Sequence, residues 1–555
     1  MSRALRSGRA LPILAALVLG CACRPDALGA QRDPVRRIQL AGVEHGEATI
    51  AHFGPDRDKW VSWHDHTNRL IPVWTYGTRG RSGGVDLEAY TGSHSLYRDE
   101  TALRELYGGA PAATLAPNAD YMDQTQLATL QRAALAAGIR RIVVFVFDGM
   151  DYETARAAAV VRAGGVRYTE GRGSGLQFED YTAGGTTQFT SMVTSPIHDH
   201  ARTDVDAQTV EVPSGGPAGG YDPVRGGAAP WSAGTDPLYA TGQAQHGSVR
   251  HAVADSAATA TAMFSGTKTY NGAINVDPTG RKLSTVAHEA QQRGLAVGVV
   301  TSVPFSHATP AAAYAHNVSR ADYQDLARDL LGLASVSHPD RPLRGMNVVI
   351  GCGHGVERSQ DATQGRNFVS GNRYVTEEDL SRVDAERGGR YVVARRRAGQ
   401  KGGKALAAAA GRAAKTGLRL LGLYGVEGGH LPYRTANGDY RPVRGADVLA
   451  ETYTGADLEE NPTLPEMTAA ALTVLETNPR GFWLMVEPGD VDWANHDANL
   501  DDSIGAVLDG DDAVRVVTDW IESHGGWNEA LLIVTADHAH YLVLENPAAL
   551  VTPPR

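Results

Sequence analysis

The chain has 555 residues, 42% of them apolar and 21% charged, with a formal net charge of −11. That length suits one large domain with insertions or two to three smaller ones, and the composition is that of an ordinary soluble globular protein. The negative balance argues against nucleic acid or an acidic membrane surface as the main partner; it leaves a phosphorylated substrate open, because bound cations do not enter the count.

In chain order, Arg3, Arg6 and Arg9 precede an apolar run at 11–19, followed by Gly20 and Cys21. This is the layout of a secretory signal, too short to span a bilayer, so residues 1–30 are expected to direct export. Val18-Leu19-Gly20-Cys21 resembles a bacterial lipoprotein cleavage box with Cys21 as the lipidated residue; the alternative is plain secretion with cleavage nearer Ala30. The expected setting is periplasmic, cell-envelope or secreted. Only Cys23 and Cys352 remain beyond Cys21, which excludes a disulfide scaffold. Residues 31–140 are polar and aromatic without strand–helix alternation and are expected to wrap the main domain. Residues 198–246 are rich in Gly, Pro and Asp and read as a long loop insertion.

From 141 onward the pattern is α/β. Apolar runs of strand length occur at 141–147 (RIVVFVF), 295–301 (LAVGVVT), 346–350 (MNVVI), 418–423 (LRLLGL), 482–486 (FWLMV) and 530–535 (ALLIVT). Each is apolar on both faces, as buried parallel strands are, and helical segments such as 153–162 and 284–293 lie between them. A mostly parallel central sheet covered by helices on both faces is expected over 141–555.

The residues just past these runs are chemically distinctive. Asp148-Gly149-Met150 follows the first; Glu487, Asp492 and His496 follow the run at 482 (VEPGDVDWANH); Asp537-His538-Ala539-His540 follows the run at 530; His307-Ala308-Thr309-Pro310 follows the run at 295. Ligands bind outside the carboxyl ends of such strands, and oxygen and nitrogen donors without cysteine suit Zn²⁺ and Mg²⁺. Singly, each piece has a plainer reading. Asp148-Gly149 is a turn, Glu487 or Asp492 a solvated carboxylate, Asp537 a helix cap, His307 a structural histidine. Their coincidence at four strand ends favours a metal cluster.

With the stretch Asp255-Ser256-Ala257-Ala258-Thr259-Ala260-Thr261-Ala262 and Lys268-Thr269-Tyr270-Asn271-Gly272-Ala273, these segments resemble the alkaline phosphatase family in residue type, spacing and order over roughly 141–545. The resemblance implies hydrolysis of phosphate monoesters, with Ser256 as a nucleophile that becomes phosphorylated and Arg320 as the phosphate clamp. It implies two zinc ions and a third metal, Mg²⁺ or else Zn²⁺ or Co²⁺. Asp148, Asp537 and His538 would hold the zinc beside Ser256, and Asp492 and His496 the other zinc. Glu487 and Thr309 would hold the third metal, with His307 beside them, and His540 would orient a ligand. Small phosphorylated molecules are the implied substrates, with no nucleic acid, and a homodimer is common in the family.

Two departures stand out. His307 replaces an aspartate of the commonest bacterial pattern, and Trp493 a lysine. The family also draws a further histidine for the Asp492–His496 zinc from a segment well past TADHAH, whereas no histidine follows His540 here. Either the sequence stops short of that segment, or another residue supplies the ligand, or the zinc site is incomplete; the first is the expectation. Rival readings are a phosphodiesterase or other hydrolase of the superfamily, and an exported lipoprotein whose metal cluster no longer catalyses. A sulfatase is disfavoured because its modified cysteine or serine motif is absent.

Overall fold

The computed structural model describes residues 33–80, 84–199, 201–213, 217–242 and 250–552. The expected signal segment 1–30, with Cys21 and Cys23, lies outside them. Among the described residues no helix is long and apolar enough to cross a membrane, and Cys352 is a buried free thiol.

Ten strands form the central sheet. They are β1 (Ile71–Tyr76), β2 (Met122–Asp123), β3 (Arg141–Phe147), β4 (Gln188–Val193), β5 (Ala296–Pro304), β6 (Val348–Cys352), β7 (Tyr391–Arg395), β8 (Arg419–Leu423), β9 (Phe482–Glu487) and β10 (Ala530–Ala536). Their spatial order is β7-β8-β6-β5-β9-β3-β10-β1-β4-β2. The seven strands from β7 to β10 run parallel, and β1 runs antiparallel to both β10 and β4. The six apolar runs of the sequence are all strands of this parallel set. Near-continuous Val, Ile and Leu is what a strand covered on both faces requires.

Successive residues of β9 show that cover directly, since neighbours on a strand point to opposite faces. Phe482 packs edge-on against Trp520 of the helix Leu500–Ser523. Trp483 meets Phe264 of the helix Ser256–Ser265 and donates its indole N–H to Gln131 of the helix Gln126–Ala136, at 2.8 Å. The two helix groups therefore sandwich the sheet, as the α/β pattern predicts. The described residues of the 198–246 region are mostly irregular, apart from a small hairpin pairing Arg202–Asp204 with Thr209–Glu211 and short helical turns at Pro223–Gly226 and Tyr239–Thr241.

Residues 33–140 differ from the expected wrapping layer, because part of them is built into the sheet. β1 is buried at every position and pairs through Thr535↔Val73 and Ile533↔Thr75. Upstream, Ala51–Phe53 pairs with Leu542–Leu544, and between these two pairings the Thr67 N–H donates to the Ala539 carbonyl at 2.8 Å. The segment 51–76 is thus laced along the chain from 532 to 544. That lacing places residues 63–67 beside the carboxyl end of β10.

Candidate metal centre

The strand ends converge as parallel topology dictates. Asp148 follows β3, Glu487 closes β9, Asp537 and His538 follow β10, and β5 leads through a tight turn to His307 and Thr309. Gly149 shows why the first motif needs glycine. Its φ is +70°, and a Cβ there would sit 2.8 Å from the His540 ring and 3.0 Å from the Asp492 backbone.

Ser256 begins the helix Ser256–Ser265, every residue of which is buried. Asp255 caps it, its carboxylate accepting from Ala258 N at 2.9 Å. The same carboxylate accepts from Gly272 N and from Arg320 Nη1, the latter at 3.0 Å. Arg320 Nη2 donates to the Ala308 carbonyl at 3.3 Å, so one capping aspartate fixes both the serine and the arginine. The Ser256 hydroxyl lies 3.2 Å from His538 Nε2 and donates to Asp148 Oδ1 at 3.4 Å.

Two donor sets adjoin. In the first, His538 Nε2 is 3.3 Å from Asp148 Oδ1 and 3.3 Å from Asp537 Oδ2, while Asp537 Oδ1 is anchored by the N–H groups of Gly149 and His538. The second holds Asp492, His496, His540 and His66. Its helix, Asp490–His496, is pinned by Ser302, which accepts from Gly489 N and donates to Asp490. His540 Nε2 donates to Asp492 Oδ1 at 2.8 Å, which orients that carboxylate as the resemblance implies.

His66 is the residue that sequence reasoning missed. Its Nδ1 is 3.0 Å from the Ala254 carbonyl, and His496 Nδ1 is 3.0 Å from the His64 carbonyl. Carbonyls only accept, so both Nδ1 atoms carry hydrogen and the Nε2 atoms are the ones left to meet a metal; against burial, the neighbouring Asp492 carboxylate holds the His66 imidazole above its usual value. The two Nε2 atoms face each other at 3.1 Å, and His66 Nε2 is 3.6 Å from Asp492 Oδ1. Of the three alternatives for this set, the geometry favours a ligand supplied from elsewhere in the chain, because His66 stands with Asp492, His496 and His540 in one group that could hold an ion. The signal in the sequence was the pair His64 and His66 just ahead of the apolar run at 71–76.

Beside the first set, Thr309 Oγ1 lies 3.5 Å from both Asp148 Oδ2 and Asp537 Oδ2, and Thr309 N donates to Glu487 Oε1 at 3.4 Å. Thr301 donates to the other Glu487 oxygen. His307 stands to the side of these carboxylates, its ring stacked on Tyr323 and edge-on to Trp493, with Nδ1 donating to the Ala308 carbonyl at 2.7 Å. Burial, then Arg320, pushes its imidazole down to about 3.

The electrostatics of the cluster call for cations. Burial, followed by the charges of Asp537, Asp492 and Glu487, holds the Asp148 carboxyl well above its usual range. Burial raises Glu487 to about 8 and Asp537 to about 6. Asp492 goes the other way. Burial opposes its charge, but His496, His540 and His66 hold it well below the carboxylate range. His538 is pushed well down by burial and by His66. Burial lowers both His538 and His540, so neither offsets the four buried carboxylates around them, and divalent ions would compensate that repulsion. Oxygen and imidazole donors without thiolate are a set that suits divalent metal ions.

A buried serine at a helix start, an arginine fork beside it and two carboxylate–imidazole sets that could each hold a metal ion together make up the site. The alkaline phosphatase family model matches residues 228–549, more than half of the chain, and the protein belongs to that family. Similar curated proteins include alkaline phosphatase 4 of Bacillus subtilis, 29% identical over 52% of this chain and 49% of its own length. Alkaline phosphatase H of Pseudomonas aeruginosa is 32% identical over 57% of this chain and 64% of its own length. The Escherichia coli K12 alkaline phosphatase is 32% identical over 57% and 65%. The chain therefore spans about half to two thirds of these relatives. Among solved structures, a cold-active alkaline phosphatase from a Shewanella species aligns at 22% identity over 72% of this chain and 68% of that one, with a TM-score of 0.41.

Proposed function

We propose that the protein hydrolyses phosphate monoesters through a phosphoserine formed on Ser256. The observation that carries this reading is the Ser256 hydroxyl, held at a helix N-terminus 3.2 Å from His538 and 3.4 Å from Asp148. In the first step the Ser256 oxygen attacks phosphorus, the ester P–O bond breaks and the alcohol leaves with a proton. In the second, water attacks the phosphoserine and inorganic phosphate departs, restoring the hydroxyl.

Asp148, Asp537 and His538 would hold one zinc, Asp492, His496 and His66 the other, and Glu487 and Thr309 with Asp148 a third ion, Mg²⁺ or Zn²⁺ or Co²⁺. Bound there, such ions supply Lewis-acid polarisation and charge compensation for the attacking and leaving oxygens. The chain's own contribution is placement. The helix start favours negative charge at Ser256, and Asp255 aims the Arg320 fork, whose planar donors match two phosphate oxygens. A cavity of about 430 Å³ is lined by Trp63, His66, Arg250, Asp255 and Asn271 among others, and so reaches the capping aspartate next to Ser256.

A phosphodiesterase is the alternative. Glu487, Thr309 and Arg320 together support the monoester. The deciding comparison is p-nitrophenyl phosphate against bis(p-nitrophenyl) phosphate; a preference for the bis-ester reverses the assignment. Arg320→Ala is expected to lower kcat/KM for the monoester roughly tenfold to a hundredfold, as loss of two charge-assisted hydrogen bonds implies, and Arg320→Lys to recover only part of it. Steady-state kinetics with phosphate inhibition checks this: an unchanged inhibition constant in Arg320→Ala would remove the clamp role. His307→Asp brings a hard oxygen donor beside Thr309 and is expected to make full activity depend on added Mg²⁺. Metal analysis with stepwise reconstitution reads this out, and indifference to Mg²⁺ refutes it. An export signal at residues 1–30, lipidation at Cys21 and a homodimer belong to the same proposal and suit an enzyme acting on small phosphorylated molecules outside the cytoplasm.

A further inference from the structure

A second imidazole cluster lies apart from the two donor sets, in the segment that leads to Arg320. His316 Nε2 donates to the Leu283 carbonyl at 2.7 Å, which leaves Nδ1 as a bare lone pair. That lone pair faces His338 Nε2 at 3.0 Å. Asp329 Oδ2 lies 3.9 Å from the same nitrogen and is fixed by the His316 backbone N–H at 3.0 Å, while Oδ1 accepts from Ser335 at 2.6 Å. The three donor atoms lie within 4.8 Å of one another. His316 and Asp329 are buried, and the His338 side chain is 15% exposed.

Two features separate this group from ordinary polar packing. A third ring, His288, stacks on His316 at 5.2 Å and 14°, and its buried Nε2 has no partner. Burial holds His288 and His338 at about 4 and His316 well below its usual value, so all three are neutral. Neutral imidazole is the metal-binding form, and a ring whose second nitrogen donates to a carbonyl is oriented as metal-ligating histidines are. Ligand bonds of about 2.0–2.1 Å at a tetrahedral angle place donor atoms about 3.4 Å apart, between the two separations seen here. Lys282, the adjacent cation, is engaged by the Ser337 carbonyl.

We propose that His316, His338 and Asp329 bind a divalent cation of the zinc type, separate from the catalytic centre. Such an ion would join the turn at Leu283, the end of the helix Tyr323–Leu331 and the loop at 335–338 to the chain four residues before Arg320. Its role is structural: it steadies the segment from which the phosphate clamp projects.

The test is to dialyse metal-replete wild type and His338→Ala against graded free Zn²⁺ and count zinc per chain by mass spectrometry. Wild type is expected to hold one equivalent more than the variant, whose affinity at this position falls at least about tenfold. Monoester hydrolysis by His338→Ala is expected to match wild type at saturating zinc. Crystals of wild type should show zinc-edge anomalous density beside His316 Nδ1, a readout that does not depend on the variant folding. Equal zinc in the two proteins, or no such density, overturns the proposal; His338 then simply donates its Nε2–H to His316.

Discussion

Ser256→Ala is expected to lower kcat for a phosphate monoester by at least about a thousandfold, with metal content and melting temperature close to wild type. Removing the nucleophile of a covalent mechanism eliminates the route itself and leaves only what positioning and charge compensation supply. The structure gives reason to expect intact metal sites. Asp537 is anchored by Gly149 N and His538 N, and Asp492 by His540, so neither set leans on the hydroxyl. Alanine also keeps the helix start, because Asp255 remains to cap it. Acid quenching with a labelled monoester should leave label on the peptide containing Ser256 in wild type and none in the variant. Retained turnover would remove Ser256 from the reaction and favour a route in which water attacks the ester directly.

The parallel half of the sheet was legible because burial on both faces forces apolar runs such as RIVVFVF and ALLIVT, and few other structures tolerate them. The convergence of ligand-type residues was legible for a related reason. Parallel strands present their carboxyl ends on one side, so ligand-type residues just after several runs must meet. β1 escaped because Pro72 interrupts its apolar run and removes a ladder donor, a pattern that ordinarily argues against an interior strand. β4 and β7 escaped because QFTSMV and YVVAR carry polar ends that read as edges or loops. His66 escaped with β1. WVSWHDHTNRLIP has no periodicity of its own, and its meaning lies in pairing with residues more than 450 positions later, Thr67 with Ala539 and Val73 with Thr535. Local sequence carries no record of such a contact. The expected third ligand lay downstream of His540, whereas the His64 carbonyl that holds His496 and the His66 ring beside Asp492 come from upstream.

His66→Ala is therefore expected to have the second large effect: loss of one zinc per chain and a fall in kcat of at least about a hundredfold. The reasoning rests on the Nε2 atoms of His66 and His496, 3.1 Å apart beside Asp492. With His66 gone, Asp492 and His496 remain with His540, whose Nε2 is committed to Asp492, and two protein donors hold zinc weakly. Because outer-sphere partners alone cost tenfold to a hundredfold in metal affinity, a direct ligand should cost at least that. Hydrogen exchange over residues 60–70 should also quicken on metal removal from wild type and be insensitive to metal in His66→Ala, since the ion would tie this segment to the helix Asp490–His496. His64→Ala is the control. Its side chain pairs with Asp447 at the surface, and its carbonyl, which holds His496, survives the substitution. Zinc content in His66→Ala equal to that of His64→Ala would show that the second set is completed by another group. A deficit confined to His66→Ala would mean that the second set is completed by a ligand from the N-terminal side of the catalytic segments.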